Sequence, residues 1–531
     1  MALMPRALVI QLNRLGDMHQ SLPVLRALET RYPGDKLVLL GCKDFSGALA
    51  EDDFRGLKVN LARARLAYWP TQLRACESGK TPLESLQAEL PEGLRGRFEL
   101  AVNLTHDEPS AAIMRLVDTE VQLGRVWSEA GEICMAGDWS KYLLAATQNR
   151  LDNLFNLVDL QLGIAGLPWG PRAPAIVVSQ ERKARARKLL REAGGDEDLP
   201  CLALQMGASD PFRALGPKKF AQSLNVWAEK RDLQVIAVGT EGERHLFRLF
   251  AEHYRGPCHS LQGKTRMEDL PAVLSLCRLL IGNDTGTLHA AASAGTPTLG
   301  LFFATAYFSE TAPYGVGHGV LQAALPCSPC NSTQRCPIQH CRSAMTPEAV
   351  AAISQWMWDG RNGQAPGPFP GLDFYTSDYA ADGGLLYASA PGWSASPQYR
   401  KALAWREMLG RHLGLPPFSR ENLHSDLRHP PFPLLPYQHL AELAEALEGV
   451  SAQLMRLERT GSTPAEITAI QKNVRDAMHR LVDAQKPCGP WGNFVRFDLL
   501  GPELGGDLGL TQMRRRHLTL AARTREMLLQ R

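Results

Sequence analysis

Twice along this chain a compact apolar run is followed by a turn and then by residues at helical spacing, and a Gly/Pro-rich stretch separates the two series. That repeated rhythm predicts two parallel-sheet α/β halves, because strand, helix and parallel strand recur only as βαβ units. In the first half, Ala7 to Leu12 predicts a buried strand, Leu22 to Tyr32 a helix ended by Pro33-Gly34, and Lys36 to Leu40 and Phe98 to Leu104 further strands. Gly163 to Pro174 (GIAGLPWGPRAP) suits an interdomain linker. The rhythm then restarts. Strands are expected at Cys201 to Gln205, Leu233 to Val238, Leu279 to Gly282 and Thr298 to Phe303, and a helix at Lys218 to Lys230. Two such halves joined by a hinge imply a cleft at the carboxyl ends of two sheets, where ligands of α/β folds bind.

The expected boundaries are 1–165 for a first Rossmann-like domain and 175–358 for a second. Residues 359–531 are expected to form a linker and a mainly helical extension. There Gly360 to Pro391 is loop-like, Gln398 to Leu413 and Leu435 to Lys486 have helical patterning, and Thr511 to Arg531 is a basic helix candidate. The extension is expected to pack on the core or on a second subunit, which makes a homo-oligomer an open reading. Acceptor recognition or membrane docking is its functional alternative.

The length of 531 residues needs more than one core. With 44% apolar and 21% charged residues the chain is not a disordered one. A net charge of +3 gives no electrostatic case for nucleic acid. The N-terminal apolar run is short and no small-residue cleavage site follows it, so a buried strand is expected rather than a signal peptide. Leu279 to Phe308 is apolar but carries Asn283, Asp284 and His289, which argues against a membrane span.

Three motifs stand at expected strand ends. In the first, Gln11 to Pro23, Gly16 permits a tight turn and Asp17 sits at a helix start. That carboxylate either caps the helix or takes a proton from a hydroxyl in the cleft. In the second, Gln205 to Arg213, a small-residue loop containing Gly207 and Ser209 ends in a cation. It is either an ordinary surface loop or a place where amides and Arg213 neutralise a diphosphate. In the third, Asn283 to His289, Asp284, Thr285 and Gly286 open a helix whose dipole favours an anion, with His289 one turn in. Its simpler alternative is a capping Asp and a core-facing His.

These motifs, in this order, resemble glycosyltransferase family 9, the lipopolysaccharide heptosyltransferases. RLGDMHQSLPVLRALETRYP resembles the family's opening signature, GAS with FRALGPKKFAQ its phosphate loop, and IGNDTGTLHAAASAGTPTLGLF its most diagnostic block. The resemblance spans roughly residues 5 to 355. It implies a GT-B fold and an inverting transfer that requires no metal or other cofactor. A sugar, heptose by this resemblance, would pass from a nucleotide-sugar such as ADP-heptose to a hydroxyl of lipopolysaccharide core or a related glycan. By the same resemblance Asp17 is the general base. Gly207, Ser209, Arg213, Glu243, Asp284, Thr285, Gly286 and His289 bind the donor, with Glu243 on the ribose. The family usually has Lys where Arg213 stands, and commonly reads FGPTDP where this chain has Phe303 to Tyr307, FATAY. Two other readings stay open: a protein O-glycosyltransferase acting on flagellin or an autotransporter, and a sugar-nucleotide-binding scaffold without catalysis. A bacterial enzyme of this family is expected in the cytoplasm, in contact with the inner membrane's cytoplasmic face at most.

Eleven cysteines without a signal segment do not form a secreted disulfide framework. Four of them cluster as Cys327-x2-Cys330-x5-Cys336-x4-Cys341 within the loop 327–341. The spacing suits a structural tetrathiolate zinc or iron site, or else a disulfide or free thiols. Similar inserts occur in the family, and some relatives that modify autotransporters are understood to hold iron there.

Overall fold

The computed structural model describes residues 6–415, apart from Thr81, Ala130, 173–174, 229–230 and 331–335, and in addition residues 442–449, 521, 522 and 524. The expected basic helix over 511–531 and most of the expected helix over 435–486 lie outside the described residues.

The first domain runs β1 Ala7–Gln11, α1 Leu15–Glu29, β2 Leu37–Cys42, β3 Leu57–Leu61, α2 Arg63–Glu77, α3 Leu83–Ala88, β4 Phe98–Asn103, α4 Glu108–Leu116, β5 Thr119–Trp127, β6 Ile133–Ala136, α5 Asp138–Gln148 and α6 Leu157–Ile164. Its sheet has the order β3-β2-β1-β4-β5-β6, parallel but for the edge strand β6. The second domain runs α7 Gln180–Glu192, β7 Cys201–Gln205, α8 Pro217–Trp227, β8 Gln234–Val238, α9 Arg244–Ala251, β9 Cys258–Ser260, α10 Leu270–Leu274, β10 Cys277–Asn283, α11 Gly286–Ser293, β11 Thr298–Phe302, α12 Phe308–Thr311, β12 Gly319–Ala323, α13 His340–Ala344 and α14 Pro347–Trp358. It continues through β13 Leu372–Tyr379, β14 Leu385–Ser389 and α15 Pro397–His412. Its sheet has the order β14-β13-β12-β11-β10-β7-β8-β9. The six strands from β12 to β9 are parallel, whereas β13 and β14 add on antiparallel.

Every residue of β1, β2, β7, β8, β11 and β12 is buried. Helices cover both faces of a parallel sheet, so its strands are continuous apolar runs rather than alternating ones. In each sheet the strand order reverses at one place, between β1 and β4 and between β7 and β10. Such switch points open a crevice at the carboxyl ends of the strands. All three sequence motifs follow a switch-point strand: β1, β7 and β10. This is the GT-B arrangement of two Rossmann-like domains.

The two domains share one apolar core. A single cluster contains Met18, Leu22 and Leu25 of α1, Leu288 and Ala291 of α11, and Tyr399, Leu403 and Trp405 of α15. Residues 372–389 differ from the expectation of a loop. Gly, Pro and Asp on either side hide two strands, in which Phe374, Tyr375, Leu385 and Leu386 are buried and which complete the second sheet. The region after 358 therefore begins as part of the second domain. From there α15 returns to the first: Arg406 donates from Nη1 to Leu154 O at 2.8 Å, and Lys401 Nζ lies 2.9 Å from Asp152 Oδ1.

Candidate active site

The site is built on two helix starts. Helix α1 leaves β1 at one switch point, α11 leaves β10 at the other, and the helices pack against each other across the domain seam. Their glycines make this possible. A Cβ on Gly16 would lie 2.8 Å from His289 Cδ2 and 3.1 Å from Gly286 Cα, and one on Gly286 would lie 2.9 Å from Gly16 N. Gly16 does not take the left-handed backbone conformation that a tight turn would demand. Its role is close approach, which corrects the turn expected from sequence.

Asp17 follows in the first turn of α1, half-buried, and its Oδ2 accepts the Arg14 N–H at 3.1 Å. The capping role is therefore present. Burial nonetheless pushes the Asp17 carboxyl above the usual carboxylate range, against the lowering effect of the Arg14 amide. A carboxylate held short of water's stabilisation is a stronger base, so capping the helix does not preclude a proton-accepting role.

The second-domain loop meets this helix start through Ser209. The Ser209 hydroxyl accepts from Arg213 Nη2 at 2.8 Å and from Arg14 Nη1 at 3.4 Å. Arg213 also lies 3.0 Å from Asp284 through Nη1. Burial raises the Asp284 carboxyl, while Arg213 opposes the rise. The loop is fixed from below by Asn283, whose Nδ2 donates to Met206 O at 2.8 Å and Gly207 O at 3.1 Å and whose Oδ1 accepts the Leu215 N–H at 3.1 Å. Thr285 caps α11 with an extended backbone, and its buried Oγ1 is without a hydrogen-bond partner among the described residues.

Glu243 stands apart from that group, over Gly207 at the carboxyl edges of β7 and β8. Its Oε2 accepts the Thr240 N–H at 2.6 Å and its Oε1 accepts from Gln205 Nε2 at 3.3 Å. A Cβ on Gly207 or Gly239 would collide with this carboxylate. The spacing thus serves two glycines and one acid that interlock. His289 is buried against Gly16, and burial lowers its pKa to about 4. His19, 2% exposed, is lowered to about 3 by burial and by its neighbours His289 and Arg182. Both rings are neutral at pH 7, and His19 Nδ1 lies 3.0 Å from the Ser293 hydroxyl.

Arg14, Arg150 and Glu310 escaped the sequence reading. Arg14 stood inside the opening motif, where its proximity to the acid was visible. Nothing local marks Arg150. It reaches from the first domain to Glu310, with Nε to Oε1 at 2.5 Å and Nη2 to Oε2 at 2.6 Å, and donates to Thr305 O at 2.7 Å and Cys330 O at 3.3 Å. This clasp holds the Phe303 to Tyr307 loop, the one that departs from the family's pattern.

Cys330 also donates its N–H to Ala304 O at 2.7 Å, which ties the cysteine loop to the same place. Cys327 and Cys336 are exposed, Cys330 is half-buried and Cys341 is buried. Burial raises the Cys330 thiol, and proximity to Cys341, Cys327 and Cys336 adds to the rise. The donor set is right for zinc or iron, but its placement is not: among the described residues no three or more His, Cys, Asp or Glu side chains are positioned to hold a metal ion. Among the described residues no helix is long and apolar enough to cross a membrane.

Several known proteins are similar to this chain. Residues 88–340 match the model of glycosyltransferase family 9 (heptosyltransferase). Lipopolysaccharide heptosyltransferase 3 of Escherichia coli is 22% identical over 300 residues, 55% of this chain and 81% of that protein. Lipopolysaccharide core heptosyltransferase OpsX of Haemophilus influenzae is 32% identical over 101 residues, 18% of this chain and 27% of that protein. Among solved structures, ADP-heptose lps heptosyltransferase II of E. coli superposes with a TM-score of 0.48 at 15% identity, over 67% of this chain and 100% of that one. Over residues 88–340, a little under half of its length, the chain is similar to glycosyltransferase family 9, the heptosyltransferases.

Proposed function

We propose that this chain is an inverting glycosyltransferase that moves a heptose from ADP-heptose to a hydroxyl of lipopolysaccharide core or a related glycan. The observation that carries the reading is the meeting at Ser209. There the base-bearing turn of the first domain, through Arg14, and the cation of the second, Arg213, share one hydroxyl. That contact joins the turn carrying Asp17 to the loop carrying Arg213, which supports reading them as base and diphosphate cation of one site.

In this mechanism Asp17 takes the proton of the acceptor hydroxyl as its oxygen attacks the anomeric carbon. The bond from that carbon to the diphosphate oxygen breaks on the opposite face, which inverts the configuration. Negative charge grows on the leaving diphosphate. Arg213 and the amides of Thr285 and Gly286 at the start of α11 stabilise it, a role that needs charge and fixed dipoles more than covalent chemistry. Glu243 holds the ribose of the nucleotide, and His289 donates or accepts a hydrogen bond near the sugar. Nucleotide sugars are cytoplasmic substrates, so the enzyme works there, at the inner face of the membrane that carries its acceptor.

The cysteine loop, whose thiols as placed do not themselves enclose an ion, is proposed to gather around a structural zinc or iron ion outside the reaction. Metal analysis of protein purified without chelators tests that assignment, and absence of both metals would remove it. The transfer itself is tested by supplying ADP-heptose and a heptose-accepting core oligosaccharide, then reading the new linkage by NMR. An α- or β-linkage opposite to the donor's supports inversion. Retention of configuration, or no turnover of any nucleotide sugar, would overturn the reading.

A further inference from the structure

A cavity of about 950 Å³ lies at the end of the domain seam away from Asp17 and Arg213. It is walled by His19, Gln20, Pro23 and Arg26 of α1, by His289, Ala292 and Ser293 of α11, and by the linker residues Arg172 and Ala175. Arg55 and His318 line it too, and these stand just before the first residues of β3 and β12. The cavity therefore opens at the amino edges of both sheets, whereas the candidate active site occupies their carboxyl edges. Of the residues assigned to the proposed active site only His289 lines it; Asp17, Ser209, Arg213, Glu243 and Asp284 do not.

We propose that this cavity is a second ligand site, for a phosphorylated sugar or polyol. Two independent features argue for that chemistry. The first is a set of buried polar atoms without partners. Nε2 of His19, Nε2 of Gln20 and Nδ1 of His289 make no hydrogen bond among the described residues, although their residues are 2%, 4% and 6% exposed. Buried donors and acceptors are seldom left unsatisfied, and such groups call for a hydroxylated occupant or water. The second is charge. Arg26, Arg55 and Arg172 line the cavity with one acid, Asp52, which is already engaged by Arg182 at 3.1 Å. Arg26 is partly neutralised by Glu29 at 2.9 Å, which leaves Arg55 and Arg172 as the cations available to a phosphate. Pro23, Ala292 and Tyr314 supply the apolar surface on which a sugar's C–H faces can rest. The volume accommodates a phosphorylated mono- or disaccharide. Because both domains and their linker form its walls, an occupant acts on the seam that carries α1 and α11.

The test uses the full chain, with glucose 6-phosphate, glucose and inorganic phosphate as probes, each titrated calorimetrically with and without saturating ADP. Glucose 6-phosphate is expected to bind saturably whether or not ADP is present, at least tenfold more tightly than glucose or phosphate. The exposed substitution Arg55→Glu is expected to weaken it tenfold or more, and Arg55→Lys to restore most of the loss, while ADP binding stays unchanged in both. Displacement of glucose 6-phosphate by ADP would place it in the donor cleft and overturn the proposal. So would unaltered binding in Arg55→Glu, or no saturable binding up to about 10 mM, where only interactions weaker than about 3 kcal/mol remain. Failure of ADP to bind counts against the proposed transferase reading alone.

Discussion

Gly16 and Gly286 meet backbone to backbone across the domain seam, with room for no side chain between them: a Cβ on Gly286 would stand 2.9 Å from Gly16 N. The two helices that carry the proposed base and the proposed diphosphate site are thus set at their distance by the absence of two side chains.

Gly16→Ala should therefore act on both stability and turnover. The added methyl meets the His289 ring at 2.8 Å. Overpacking of this kind costs about 1–3 kcal/mol, and a displacement of about 1 Å between catalytic groups lowers kcat by roughly a hundredfold. His289→Ala removes the ring, so the double variant Gly16→Ala/His289→Ala should lose less stability than the sum of the single losses. Urea unfolding of all four proteins measures this coupling. Strict additivity would show that the contact does not govern the spacing.

Asp17→Asn should separate activity from stability. General-base removal costs about 10²–10⁴ in kcat. Burial raises the Asp17 pKa in the fold, so ionisation costs more there than in the unfolded chain. Its contribution to stability is present below the unfolded value of 3.8, is lost as pH rises through the raised folded value, and is a net penalty at pH 7. The Asp17→Asn variant should be at least as stable as the parent at pH 7. The acid limb of the wild-type kcat/KM profile should lie above the ordinary carboxylate range and vanish in that variant. A variant both inactive and strongly destabilised would point to capping as the main role.

Much of this site was legible in the sequence, because its chemistry is carried by contiguous motifs after switch-point strands. Asp17, Ser209, Arg213, Asp284 and Gly286 all come together at the seam. What could not be read is what depends on distant partners. The close approach of Gly16 needs α11 beside it, and Arg150 acquires meaning only through Glu310, 160 positions later. Strands β13 and β14 were hidden for a different reason: punctuation by Gly, Pro and Asp outweighed a modest alternation over LDFYTSDY.

Stability should fall on mild acidification. Burial is the main cause that lowers His19 and His318 to about 3 and His289 to about 4. Between pH 6.5 and 5 these three bind protons only when unfolded, so the unfolded state takes up protons that the native state refuses. Asp159 works in the opposite direction: burial raises it to about 7, so it gains stability as pH drops through 7. Burial also raises Asp17, Asp284 and Asp373, which offsets part of the histidine effect. The three rings set against Asp159 give a net uptake on unfolding of about two protons at pH 5.5, or about 2–3 kcal/mol per pH unit before that offset. Unfolding free energies between pH 7 and 5 check this, and a flat profile would contradict neutral buried rings.

Arg406 and Asp382 form a buried bidentate pair, with Nε to Oδ2 at 3.0 Å and Nη2 to Oδ1 at 2.9 Å. Arg406 also holds Leu154 O and Leu385 O, so one side chain joins α15, the β13–β14 hairpin and the first domain. Asp382→Ala should cost about 3–5 kcal/mol, since it strands a buried guanidinium. The paired replacement Arg406→Met/Asp382→Leu should cost less than Asp382→Ala alone. Equilibrium denaturation of the three proteins decides between a pair that stabilises and one that mainly fixes the position of α15.

Arg213 is where charge and geometry can be separated. Its fork reaches Asp284 at 3.0 Å through one nitrogen and Ser209 at 2.8 Å through another. A lysine keeps the charge but not two divergent donors on a rigid plane. Arg213→Lys should therefore retain ADP binding and lose about tenfold in kcat, whereas Arg213→Ala should lose about 10²–10³ through missing charge on the leaving diphosphate. The alanine variant also leaves the buried Asp284 carboxylate without its cation, which destabilises the fold. Adding Asp284→Asn should recover that stability without recovering turnover. Recovery of turnover as well would mean that Arg213 serves only to neutralise Asp284, and the diphosphate would need another cation.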